Sequence, residues 1–130
     1  LVSADQKTLY IAEGEPDHDH VRELRAYPID GDGSLGNHSV LHTFGADHRG
    51  PQRGIEGMCL DADGNIVACG GWAKNGPGPL IYVFSPAGRL LKTYDLLADM
   101  PNRCAFGGPD MATLYVTTAT GELLAGKAAG

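Results

Sequence analysis

Asp17-His18-Asp19-His20 places four side chains able to bind a metal in succession. Alternate residues of an extended loop diverge, and no distant His or Cys completes a zinc spacing. The run therefore reads as a solvated loop, with adventitious Zn2+ or Ni2+ binding as the lesser alternative. Asp30-Gly31-Asp32 and Asp61-Ala62-Asp63 both open like EF-hand calcium loops. The glycine and the closing glutamate that such a loop needs are replaced by Leu35 and Leu41 in one, and by Ile66 and Trp72 in the other. Gly31-Asp32-Gly33-Ser34-Leu35-Gly36 spells G-x-G-x-x-G. It lies between strand patterns and has no following helix to receive a pyrophosphate, so it reads as a turn. Ser3, Ser34, Ser39 and Ser85 lack the G-x-S-x-G setting that activates a hydroxyl. Asn37-His38-Ser39 is a glycosylation sequon in form only, because no secretory signal accompanies it. Cys59, Cys69 and Cys104 form neither a disulfide framework nor a zinc spacing. They read as reduced, partly buried thiols, with a Cys59–Cys69 cross-strand disulfide as the secondary reading. Glu56, taken by itself, is a loop carboxylate ahead of a strand.

The elements that must position these groups are short strands. The chain has 130 residues with 19 Gly and 8 Pro, and its apolar runs are β-branched or aromatic and bounded by turn residues. Leu90–Leu97 is confined by Pro86, Gly88 and Pro101, and its alternation suits a strand ending near Leu96 at least as well as a helix. A formal charge of −6 leaves no cationic excess to neutralise phosphates, so nucleic acid is excluded as a partner. No apolar run approaches the ~20 residues of a membrane span. The first residues carry no export signal, and a cytoplasmic location without membrane partners is expected.

Repeats decide the fold class. Asp5-Gln6-Lys7-Thr8-Leu9-Tyr10-Ile11-Ala12 has the same pattern as Asp110-Met111-Ala112-Thr113-Leu114-Tyr115-Val116-Thr117, and Asp63-Gly64-Asn65-Ile66-Val67-Ala68 is a shorter version. Each is a polar turn built on Asp and then an alternating strand. The equivalent Asp residues lie 63 − 5 = 58 and 110 − 63 = 47 positions apart. That spacing fits a four-stranded blade of roughly 40–50 residues. The expectation is an all-β protein of antiparallel four-stranded β-propeller blades. Residues 1–130 hold about two and a half to three of them, with no separate second domain. Unclosed, such a piece calls for further N-terminal blades or for self-association.

Gly54-Ile55-Glu56-Gly57-Met58-Cys59-Leu60-Asp61-Ala62-Asp63-Gly64-Asn65 resembles the D-G-M-x-x-D-x-x-G-N motif of the senescence-marker-protein-30/gluconolactonase/luciferin-regenerating-enzyme-like family. Cys104-Ala105-Phe106-Gly107-Gly108 with Thr113-Leu114-Tyr115-Val116-Thr117 resembles its later C-A-F-G-G…L-Y-V-T segment, and Asp5–Ala12 its D-x-K-T-L-Y-V-A strand. All three fall in the family's order. The resemblance implies the C-terminal half of a six-bladed propeller. It implies hydrolysis of small sugar-type lactones with one divalent cation in the central channel, Ca2+ first and Zn2+ or Mg2+ as alternatives.

Glu56 stands where the family has the Asp that is both metal ligand and proposed base. The resemblance thus makes Glu56 the metal and catalytic residue, one methylene longer than its counterpart. Asn102-Arg103-Cys104 departs from the family's T-N-C by one position. Asn102 and Arg103 are accordingly read either as substrate contacts or as a polar pair at a strand edge. Glu13 is read as bordering the channel mouth or as a solvated loop charge. Trp72 is read as walling a substrate pocket or as covering a strand. The alternative to a lactonase is a non-catalytic propeller segment that serves binding or assembly.

Overall fold

The computed structural model describes residues 1–128. All regular structure among them is β. Three antiparallel sheets follow one another along the chain. The first contains β1 (Thr8–Ala12), β2 (Glu23–Pro28) and β3 (Ser39–Thr43). A short ladder of β4 (Ala46–Asp47) and β5 (Gly50–Pro51) leads to the second. That sheet is β6 (Ile55–Leu60), β7 (Ile66–Trp72), β8 (Asn75–Phe84) and β9 (Leu90–Asp95). The third is β10 (Pro101–Gly107), β11 (Thr113–Thr118) and β12 (Leu123–Lys127). Leu90–Asp95 is a strand, as its alternation predicts. No helix is present among the described residues, so none is long and apolar enough to cross a membrane.

The repeated Asp turns lead into β1, β7 and β11 and thereby align the sheets. By that alignment the middle sheet shows all four strands of a blade. The third sheet shows the inner three, and the first shows the outer three, with Val2 bridging to Leu9 as the end of an inner strand. Each turn is held by a carboxylate that accepts backbone N–H groups, the local bond for which Asp is favoured in turns. Asp5 Oδ1 accepts from Lys7 N at 3.1 Å and Asp110 Oδ1 from Ala112 N at 3.1 Å. In the middle repeat the work falls to Asp61, two residues before the matching Asp63. Asp61 Oδ1 accepts from Asp63 N and Asn65 N at 2.9 and 2.8 Å.

Within the middle sheet β7 is buried on both sides, which explains why it is apolar almost without alternation, whereas β9 is exposed along its length. Ile66, Ala68, Tyr82 and Phe84 face the first sheet and join Tyr10, Leu24, Phe44 and Ile55. Val67, Cys69 and Ile81 face the third sheet and join Val116. On that second side β10 lies against β6 and β7. β9 and β12 diverge around an apolar groove of 930 Å3 lined by Leu91, Tyr94, Phe106, Leu114 and Leu124.

The secondary disulfide reading is overturned by register. Cys59 pairs with Val67 and Cys69 with Gly57, so the two cysteines are not opposite each other, and all three cysteines are free.

Candidate functional site

β6 and β10 are the inner strands of consecutive blades, and each begins with a bulge. Ile55 pairs with Gly70 and Gly57 with the adjacent Cys69, which leaves Glu56 as the extra residue. Pro101 pairs with Thr118 and Arg103 with the adjacent Thr117, which leaves Asn102 in the same position on β10. A bulge disrupts the ladder locally and re-aims the side chain it carries. The two residues singled out from separate motifs are thus structural equivalents.

Glu56 lies in a notch made by glycine. A Cβ added at Gly14 would sit 2.5 Å from Glu56 Oε1 and 2.8 Å from the Ile55 carbonyl oxygen, so no other residue fits there without displacement. Gly54 N donates to Gly14 O at 3.1 Å and ties the exit of β1 to the entry of β6. On the other side, Gly57 lets β10 cross closely, since a Cβ there would meet the Asn102 carbonyl oxygen at 2.3 Å.

Two guanidinium groups attend Glu56. Arg53 is 4% exposed. Its Nη1 donates to the carbonyls of Gly71 at 3.0 Å and Pro101 at 2.9 Å, linking β7 to β10. Its Nη2 stands 3.6 Å from Glu56 Oε1, an ion pair between a buried partner and a partly exposed one. Burial draws Arg53 below the usual arginine range, opposed by the charges of Glu56 and Asp99. Arg103, on the exposed side, donates from Nη1 to the carbonyls of Glu56 and Asn102, both at 2.7 Å. The Asn102 side chain turns to its own sheet, where its Oδ1 accepts from Thr117 Oγ1 at 2.7 Å. Arg103 rather than Asn102 therefore supplies the β10 side chain that reaches the backbone of Glu56.

The other expected site residues have partners within their own loops and strand ends. Glu13 follows β1, and its carboxylate lies 3.8 Å from His20 Nε2. Trp72 ends β7, where its indole donates to Asn75 Oδ1 at 2.8 Å beneath the Lys74 ammonium, 5.0 Å from the ring centre. Asp17 Oδ1 accepts from the backbone of Asp19 and His20 and contacts His20 Nδ1 at 2.5 Å, so the Asp-His loop closes on itself. His20 is raised above its ordinary value, first by that bond with Asp17.

A divalent cation at Glu56 would find one hard oxygen donor in a glycine-lined notch. Among the described residues no three His, Cys, Asp or Glu side chains come together as a metal site. The notch suits a single ligating carboxylate, but these residues alone do not complete the oxygen shell that Ca2+ or Mg2+ requires. The sequence reading missed Arg53, because its partners are backbone carbonyls 18 and 48 residues away and leave no mark in local pattern.

Comparison with known proteins accords with this geometry. Regucalcin of Xenopus laevis is 33% identical over 121 residues, 90% of this chain and 35% of regucalcin. The 6-deoxy-6-sulfogluconolactonase of Pseudomonas putida is 33% identical over 95 residues, 73% of this chain and 30% of that enzyme. The luciferin-regenerating enzyme structure superposes with a TM-score of 0.69 at 27% identity, covering 91% of this chain and 36% of the enzyme. The chain spans about a third of the length of these relatives. Its sheets are blades of the propeller type found in these proteins, not closed into a ring. The model of the SMP-30/gluconolactonase/LRE-like region matches residues 1–120, and the chain belongs to that family.

Proposed function

We propose that the chain contributes Glu56 to the centre of a metal-dependent lactonase acting on small sugar-type lactones, as a set of C-terminal blades in a closed six-bladed ring. The observation that carries the proposal is the bulge at the start of β6, which presents a carboxylate in a glycine notch on an inner strand. Membership in a family with a sulfogluconolactonase relative supports the substrate class. Glu56 would serve as one ligand of a divalent cation, Ca2+ first and Zn2+ or Mg2+ as alternatives, with the remaining donors from other blades. When bound, such a cation polarises the lactone carbonyl.

The chain's own residues then act as follows. Arg53, on the Oε1 side, pairs with the carboxylate at 3.6 Å and fixes its direction. The other carboxylate oxygen of Glu56 accepts a proton as water adds to the lactone carbonyl carbon. The ring C–O bond breaks, the proton passes to the departing ring oxygen, and the product is a hydroxy acid. Arg103 holds the backbone of Glu56 from the neighbouring blade. Asn102, Glu13 and Trp72 are proposed as outer boundaries of the pocket.

The test is hydrolysis of a δ-lactone panel, followed by pH-stat titration, by a ring containing these residues. Glu56→Gln should lower kcat by about 100-fold or more. Turnover unchanged in Glu56→Gln would overturn the proposal. A second reading rests on the same ion pair, since Arg53 already neutralises Glu56 without a metal. On that reading the segment serves assembly, and no ring containing it turns over lactones.

A further inference from the structure

The contact between the middle and third sheets brings together thiols from strands far apart in sequence. Cys59 Sγ on β6 and Cys104 Sγ on β10 lie 3.5 Å apart across that contact, and Cys104 Sγ also donates to the Val67 carbonyl at 3.4 Å. Cys59 and Cys104 are half-buried, whereas Cys69 is 0% exposed. We propose that Cys59 and Cys104 form an oxidisable pair, a modification site at which a hydroperoxide closes a disulfide between two consecutive blades.

The geometry favours this pairing over the others. The sulfurs must approach by about 1.5 Å to reach the ~2.05 Å of a disulfide, a distance within reach of side-chain rotation when both strands are already in contact. Cys59 and Cys69 lie on neighbouring strands but two residues out of register, as the pairs Cys59–Val67 and Gly57–Cys69 show. Cys69 is also closed to solvent, and so to a soluble oxidant.

The chemistry balances with peroxide as the oxidant. One cysteine thiol gives up its proton, the thiolate attacks a peroxide oxygen, the O–O bond breaks, and the departing hydroxide takes that proton as water, leaving a sulfenic acid. The second thiol attacks the sulfenic sulfur, the S–S bond forms, and hydroxide leaves with the second thiol's proton as another water. Two sulfurs are each oxidised by one electron, and one peroxide is reduced to two waters. Contact with Cys104 and burial push the Cys59 thiol up, and Cys104 is pushed up to about 12 by Cys69 and burial against a lowering contribution from Cys59. Both thiols are therefore protonated at neutral pH, and the reaction calls for excess oxidant and long exposure.

Position gives the bond a consequence. Cys59 follows Glu56 by three residues on β6, and Cys104 follows Arg103 directly on β10. The disulfide would fix the spacing of the two bulged strands whatever Glu56 does, so the inference stands apart from the proposed activity.

The experiment treats the chain with hydrogen peroxide, blocks remaining thiols with iodoacetamide, and maps digested peptides by mass spectrometry. The same treatment in guanidinium chloride serves as the reference for random pairing. The expected result is one dominant linked pair, Cys59 with Cys104, and a thermal midpoint raised by about 5 °C that dithiothreitol reverses. Cys69→Ser should keep the link and Cys59→Ser should abolish it. Dominant linkage through Cys69, pairing no different from the denatured reference, or Cys59 and Cys104 recovered unlinked from the wild-type chain would each overturn the proposal.

Discussion

The two faces of the middle sheet are packed by different means. Toward the first sheet the seam is aromatic: Phe44 meets Tyr82 edge-on with ring centres 5.4 Å apart, Tyr82 stacks near Phe84 at 5.8 Å, and His42 lies 4.6 Å from Phe44. Toward the third sheet the contact is aliphatic and thiol-bearing near β6 and β10, then opens into the groove between β9 and β12. Large flat rings fill a widening wedge between twisted sheets, whereas Val, Cys and Ile fill it only where the strands are closest. The first seam thus carries stability. The second carries the strands that hold the candidate site, and its two inner strands are joined by Arg53 and by sulfur contact.

The sharpest way to break that comparison is Phe84→Ala, at a residue 0% exposed. It should cost about 4 kcal/mol in urea unfolding, and a loss under about 1 kcal/mol would deny the aromatic seam its role. Next comes Arg53→Ala, which strands two buried carbonyls; about 2–3 kcal/mol is expected in the same assay. A loss that small surface substitutions match would mean that water replaces the guanidinium. Third is Leu124→Ala on the groove wall, where the space is already open. About 1 kcal/mol is expected, well below the ~3–4 kcal/mol for Leu24→Ala in the first seam. Equal costs would erase the distinction.

The smallest effect is on pH. Burial among aromatic rings holds His42 below its ordinary value of 6.5. The unfolded chain then takes up the proton first, so the contribution is complete above that value and is lost as pH falls through it toward the folded pKa. His42→Phe should flatten that part of the stability curve between about pH 7 and 5. His20 works in the opposite sense, because Asp17 raises it and its contribution fades as pH climbs. The slope must therefore be read as the difference between the wild-type chain and His42→Phe.

Local chemistry made much of this legible. The Asp turns, the alternating strands after them and the motif around Glu56 all lie within a dozen neighbouring residues, and the blades formed where those patterns predict. The Leu90–Asp95 strand was marked by its Pro and Gly boundaries. Contacts between blades were not legible. Arg53 spends its donors on backbone carbonyls, which have no residue type to read. Cys104 finds Cys59 rather than a neighbour because two sheets meet there, and hairpin proximity alone favoured Cys69 as the partner. The one-residue displacement of Asn102 was visible, but its meaning appeared only when the bulge placed Asn102 in register with Glu56 on the preceding blade.

The central proposal, a carboxylate that serves a metal within a ring, is tested most directly by calorimetric titration of Ca2+ and Zn2+. The proteins to compare are the chain by itself and a ring in which it replaces the matching segment of Xenopus laevis regucalcin, each with and without Glu56→Gln. The account predicts weak binding by the chain, tight binding by the ring, and a loss of about 100-fold in the Glu56→Gln ring. Equal affinity of the two rings would contradict it, as would tight binding by the chain that survives Glu56→Gln and points to Asp17–His20 instead.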